Sequence, residues 1–278
     1  MSPASVELTR NCSSLESVDV DAVREAIEMD GYQIIQGLVS MDDVTAIREF
    51  WLTAFRERST AAPVIWGPHL GEQNRILFHR SSTSCLYRSY DFLWNTPIHA
   101  LTRELGLKLS RMRNRIAETD LSSGETYAGD GYGIYITTSY YPPRQGWMAD
   151  HEDQTDGRRH WHFILPLTFK GIDYADGGLA LTDRSGRRVN IDSNMNPSSV
   201  IFYDGSLPHC VETIRCGDGQ SVGRLQVFSI PTFIQRPQDS DRLVEDISML
   251  DIVKGKLRPI KHRLQGVRGA APKWSEFH

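Results

Sequence analysis

The residues best suited to chemistry are His151-Glu152-Asp153, His209 and Arg224. Two imidazoles and one carboxylate can occupy one face of a six-coordinate ion and leave three adjoining positions open, the donor set of a non-haem Fe(II) site that activates O2. Along an extended chain, residues i and i+2 point to the same side. His151 and Asp153 can therefore share one ion while Glu152 turns away. His209 comes 58 residues after His151 (209 − 151), behind a β-prone run, Ser199-Val200-Ile201-Phe202-Tyr203, and a turn, Asp204-Gly205-Ser206-Leu207-Pro208. A return strand would carry it back to the ion. A lone His-x-Asp arises often by chance, and a lone histidine is more often structural than a ligand. The weight lies in the order: β-run, His-x-Asp, β-run, Gly-Gly turn, β-run, histidine, and a β-run opened by arginine.

The elements that must position these groups fall into two textures. Toward the N-terminus, Val20, Val23, Ala26 and Ile27 recur at helical spacing and Gly31 follows as a stop signal. Tyr32 to Leu38 reads as a strand. Ser40 with Asp43 resembles a capping box ahead of a helix bearing Val44, Ile47, Trp51, Ala54 and Phe55 on one face. Thr96-Pro97 signals a further helix start, with Ile98, Leu101, Leu105 and Leu107 to follow. From Tyr132 the texture changes to short β-prone runs: Tyr132–Tyr141, His160–Phe169, Gly178–Thr182, Arg188–Ile191, Val200–Tyr203, Cys210–Ile214 and Arg224–Phe233. Turn residues separate them with no helical pattern between, which predicts an antiparallel sandwich or barrel. The expectation is one domain over residues 1–278, mainly β with N-terminal helices (α+β). Helical support and lid would occupy about 1–120, the β-core about 131–235 and a C-terminal extension about 236–278.

Composition narrows the partners. With 31 Lys+Arg against 35 Asp+Glu and 40% hydrophobic residues, the 278-residue chain has an ordinary globular balance and a net charge of −4. That argues against nucleic acid as the main partner, because counterion-release binding needs a basic surface. Nothing approaches the roughly 20 apolar residues of a membrane span. The start carries no secretory pattern, and the cysteines Cys12, Cys85, Cys210 and Cys216 are irregularly spaced, so free thiols in a reduced cytoplasmic setting are expected. Asn11-Cys12-Ser13 is then a chance match to a glycosylation sequon. A basic segment without acids, from Ile252 to Ser275, reads as a solvated tail beside an acidic body, ahead of a site for an anionic partner.

In these residues the chain resembles the Fe(II)- and 2-oxoglutarate-dependent dioxygenases. The resemblance covers about Gly131 to Phe233: Tyr140-Tyr141-Pro142-Pro143 before the His-x-Asp, Gly177-Gly178-Leu179, Val200-Ile201-Phe202-Tyr203-Asp204-Gly205 and Leu207-Pro208-His209-Cys210-Val211. The segment Asp30 to Ser40 is similar to the phytanoyl-CoA-hydroxylase-like branch, and the β-core with its Gly-Gly to prolyl-hydroxylase-like members. The resemblance implies a double-stranded β-helix core (jelly roll, cupin-like), with Fe(II) held by His151, Asp153 and His209 and with 2-oxoglutarate and O2 as cosubstrates. It also implies that a basic residue near the final strand grips the distal carboxylate of 2-oxoglutarate. Arg224, 15 residues after His209 (224 − 209), opens the best apolar run there and is favoured over Arg215; Gln226 stands where many members have serine. Arg suits the role because its planar fork grips a carboxylate at two points. By motif position Tyr141 is a second cosubstrate contact, with a core strand tyrosine the competing reading.

The carboxylate Asp153 implies, within that family, hydroxylation, desaturation or ring formation rather than halogenation. The function expected is oxidation of an unactivated C–H in a small metabolite, amino-acid-like or from specialised metabolism, with release of succinate and CO2, by a monomer or homodimer. A peptide or protein hydroxylase and a non-catalytic metal-binding β-barrel sensor are the alternatives. For substrate capture, the irregular, aromatic-rich stretch from Ala62 to Trp94 reads equally as a lid, with Arg80 and Arg88 its binding groups, and as an ordinary surface loop; Trp147 and Met148 would wall the pocket or cover the barrel mouth. His160 and His162 alternate with Trp161 and Phe163 and read as structural.

Overall fold

The computed structural model describes residues 17–57, 74–93, 96–125, 132–153, 161–229 and 231–233. The basic segment, His160 and Cys12 lie outside them.

Local rules account for the front of the chain. Helix α1 (Val20–Asp30) starts at Asp19, whose side chain accepts from the Ala22 N–H, and stops at Gly31, whose φ of 93° is one a side chain would resist. Strand β1 (Tyr32–Ile35) follows. Helix α2 (Met41–Glu57) opens with the Ser40 hydroxyl accepting from the Asp43 N–H at 3.1 Å, and it buries Val44, Ile47, Trp51 and Phe55. Helix α3 runs Ala100–Ile116, so Thr96-Pro97 is not its start. The Thr96 carbonyl instead accepts from the Asn74 amide at 2.7 Å, which ties that segment to the beginning of strand β2 (Arg75–Arg80).

The β-strands are nested. Strands β4 (Tyr132–Tyr141), β5 (Trp147–His151), β6 (Trp161–Pro166) and β7 (Asp176–Thr182) pair antiparallel with β11 (Arg224–Ser229), β10 (His209–Arg215), β9 (Val200–Asp204) and β8 (Arg188–Asn190), respectively. First pairs with last and innermost with innermost, so the chain is one long hairpin wound into a double-stranded β-helix. Cross-pairing of β11 with β6 and of β10 with β7 gives two layers, β9-β6-β11-β4 and β5-β10-β7-β8. Strand β3 (Ser84–Phe92) pairs with both β4 and β5 and joins the layers; β2 (Arg75–Arg80) flanks it, β1 extends the sheet at β9, and β12 (Pro231–Phe233) pairs with β4.

Alternation decides what faces the interior. On β11, Leu225 and Val227 pack outward with Phe163, Leu165, Val200 and Phe202 against Ile27, Ile47, Trp51 and Leu109 of the helices. Gln226 and Phe228 face inward, as do His162, Ile164 and Tyr203 on β6 and β9. The helices thus back the outer face of one layer, and no helix residue lines the interior pocket among the described residues.

The Ala62–Trp94 stretch changes character. Its described part is the β2–β3 hairpin, and β3 is buried along its whole length. Its polar residues misled because they are buried with partners. The Ser139 hydroxyl accepts from Arg88 Nε at 3.0 Å, the Ser89 hydroxyl accepts from the Thr138 N–H at 2.8 Å, and Asp91 pairs with Arg103. No described helix is long and apolar enough to cross a membrane.

Candidate metal centre

His151 ends β5 and His209 opens β10, and the register sets the two opposite each other. Their ring centroids are 4.3 Å apart. Asp153 lies two residues past β5, where its N–H donates to the Gly205 carbonyl at 2.9 Å, fastening it to the turn that precedes His209. Donor atoms of His151, Asp153 and His209 all fall within 4.8 Å of one another.

Each ring is oriented by its own backbone. Nδ1 of His151 donates to the Ala149 carbonyl and Nδ1 of His209 to the Leu207 carbonyl, both at 2.8 Å. A carbonyl only accepts, so the proton sits on Nδ1 and the Nε2 lone pair is left for an ion. Burial, and then the neighbouring His209, lower the His151 pKa to about 4; burial likewise lowers that of His209. Both imidazoles are therefore neutral at ordinary pH, the form that ligates. Asp153 is raised to about 6, mainly by burial, with His151 and Arg88 pulling the other way. Its Oδ1 is buried without a hydrogen bond, and its Oδ2 is 3.3 Å from His162 Nε2 and 3.6 Å from His209 Nε2. Two neutral imidazole nitrogens beside a buried carboxylate with one unsatisfied oxygen fit a divalent cation, which would relieve the desolvated charge.

The pocket over this cluster opens to solvent and has apolar walls of Met148, Ile164, Leu179 and Phe228. Tyr141 and Arg88 line it, and both are buried. Arg224 does not. It is buried beside the pocket with Nε donating to Asp192 Oδ2 at 2.5 Å and Nη2 to Oδ1 at 3.0 Å, while Nη1 donates to Gln226. Asp192, in a 3-10 turn (Ile191–Asn194), also accepts from the Tyr174 hydroxyl and the Leu179 N–H, so this pair pins three parts of the barrel together. Arg215 is exposed and paired with Asp176. Of the residues expected to capture substrate, Arg80 is exposed at the end of β2 and Trp147 sits half-buried across from Cys85, both off the pocket lining, whereas Met148 lines it.

Sequence reasoning read His162 as structural ahead of a place in the site, and it passed over Tyr203. Both line the pocket, and His162 Nδ1 lies 3.1 Å from the Tyr203 hydroxyl. The signal was the period-2 alternation with Trp161, Phe163 and Phe202, which places them on the inner face.

No family model matches the chain, and no curated protein does. Solved structures do match in fold. A Pseudomonas putida prolyl-4-hydroxylase superposes with a TM-score of 0.51 at 16% identity, over 78% of this chain and 100% of that one. A non-haem α-ketoglutarate-dependent carbocyclase, SnoK from nogalamycin biosynthesis, gives 0.52 at 15% identity, over 81% and 90%. A prolyl hydroxylase from Trichoplax adhaerens, solved with a hypoxia-inducible-factor peptide fragment, gives 0.51 at 13%, over 77% and 89%. These likenesses carry the double-stranded β-helix fold that the strand pairing describes.

Proposed function

We propose that the chain is a non-haem Fe(II)- and 2-oxoglutarate-dependent oxygenase that oxidises an unactivated C–H of a small molecule. The observation that carries this reading is the convergence of donor atoms of His151, Asp153 and His209 in a double-stranded β-helix, with neutral imidazoles beside a buried carboxylate that has one unsatisfied oxygen. The overall reaction consumes 2-oxoglutarate, O2 and R–H and yields succinate, CO2 and R–OH, with the bound iron supplying the oxygen activation. The chain's own residues do the rest. Ala149 and Leu207 hold the ligand rings in the Nδ1–H tautomer, the Gly205 carbonyl holds Asp153, and Ile164, Leu179 and Phe228 keep water from the reacting face. The likeness to the carbocyclase supports a small-molecule substrate. A peptide is the second reading, favoured by the likeness to a prolyl hydroxylase solved with one.

The test is succinate formation coupled to O2 uptake by iron-loaded protein, screened over small molecules and proline-containing peptides. Stimulation by one class selects it. Succinate formation absent from wild type under every condition, or undiminished in His209→Ala, refutes the proposal.

A further inference from the structure

His162 and Tyr203 are cross-strand partners on β6 and β9, and both line the pocket beside the candidate ligands without being ligands themselves. His162 Nδ1 lies 3.1 Å from the Tyr203 hydroxyl, and at the other side of the ring Nε2 lies 3.3 Å from Asp153 Oδ2. All three residues are buried. The donor atoms that fall within 4.8 Å of one another belong to His151, Asp153 and His209, so His162 stands beside the carboxylate and outside the donor set. The neighbouring turn is shaped to admit the ring. A Cβ on Gly205 would come within 2.3 Å of His162 Nε2, so a side chain there would displace the imidazole. The carbonyl of the same Gly205 accepts from the Asp153 N–H at 2.9 Å. One turn thus fastens the backbone of Asp153 and leaves room for a ring at its side chain.

The contacts make a chain from Tyr203 through His162 to Asp153. A tyrosine hydroxyl can donate or accept. When it donates to Nδ1, the imidazole proton sits on Nε2, within reach of Asp153 Oδ2. The rings of His151 and His209 are each oriented through Nδ1 by a backbone carbonyl, at Ala149 and Leu207. For the carboxylate, His162 is the group placed to do the same, and a donor at one oxygen fixes its rotation whichever oxygen an ion takes. Resting on the oxygenase reading above, we infer that His162 is a positioning residue, holding the Asp153 carboxylate by donating from Nε2 to Oδ2, and that Tyr203 selects the tautomer able to donate.

Calorimetric titration of the full chain with Mn(II), together with the visible spectrum of its Co(II) form, tests this without turnover. His162→Phe keeps a flat ring and removes the donor, so Mn(II) affinity should fall about tenfold or more and the Co(II) bands should shift. His162→Gln restores an N–H near the Nε2 position and should bind Mn(II) within about twofold of wild type, with unshifted bands. Tyr203→Phe leaves the imidazole but not its tautomer partner and should weaken Mn(II) by at least about threefold. Urea midpoints of the metal-free proteins separate positioning from packing: a purely structural His162 would lower the midpoint in His162→Phe while affinity and bands stay as in wild type. That result overturns the inference, as does His162→Gln binding Mn(II) as weakly as His162→Phe. If His162→Phe does not fold, Tyr203→Phe decides, and wild-type affinity and bands in it overturn the inference. Wild type that binds neither Mn(II) nor Co(II) overturns the oxygenase reading, and this inference with it.

Discussion

Asp153→Asn should make the metal-free protein more stable at pH 8, although it removes a candidate ligand. Burial raises the carboxyl from 3.8 to about 6, so the folded chain holds this proton more tightly than the unfolded chain does. Stability from that proton is fully present below the unfolded value, near 3.8, and is lost as pH rises through about 6. A shift of about two units at about 1.4 kcal/mol each means that the ionised group costs the fold roughly 3 kcal/mol at pH 8, of which about half is already present at pH 5. An asparagine amide has no such titration and can donate to His162 Nε2, which lies 3.3 Å from Asp153 Oδ2. Its fixed cost or gain is the same at both pH values, and so are the contributions of the neighbouring histidines to a first approximation. The measurement is therefore a double difference: urea unfolding of wild type and variant in chelator, at pH 5 and pH 8. The variant's advantage should grow by about 1.5 kcal/mol from pH 5 to pH 8 and reverse when Mn(II) is added to both. An advantage that is flat with pH would mean that Asp153 is solvated, and the argument for a carboxylate waiting on a cation would fall with it.

Other consequences can be measured directly. Metal at about 100 times its dissociation constant should stabilise wild type by roughly 2.7 kcal/mol in thermal or urea unfolding, and His151→Ala or His209→Ala should abolish that increment. Asp192→Ala leaves Arg224 buried without its acid and should cost about 3–5 kcal/mol, visible as a lower urea midpoint. Gly178 and Gly186 both have positive φ, 100° and 81°, but a Cβ at Gly178 would run into the Asp192 carboxylate while one at Gly186 meets nothing within 4 Å. Gly186→Ala should then cost only the backbone strain, roughly 1 kcal/mol, and Gly178→Ala distinctly more; equal losses would show that the Asp192 network is not rigid.

Much of the barrel was legible because its strands obey a local rule. Runs such as Val200–Tyr203 and Arg224–Ser229 alternate between a helix-facing apolar residue and an inward one, and turn residues mark their ends. The same period made His151 and Asp153 recognisable as a pair, and the run, turn and return strand before His209 made its approach foreseeable. β3 was illegible for the converse reason. Arg88, Ser89 and Asp91 look like loop residues, yet each is buried, and what makes that tolerable is a partner on another element: Ser139, Thr138 and Arg103. Burial of polar groups depends on satisfied hydrogen bonds, and the groups that satisfy them are distant in sequence.

The two arginines carry that reasoning to the site. Read along the chain, Arg224 has every advantage: it opens an apolar strand after the second histidine, where the resembled family keeps its anchor. Its actual environment is set by Asp192, 32 residues earlier in a short 3-10 turn, which no spacing rule connects to it. Arg88 has no motif at all and reaches the pocket only because β3 crosses between the two layers. Motif position locates the candidate cations, and the partners that set their environments, Asp192 for Arg224 and Ser139 for Arg88, are distant in sequence.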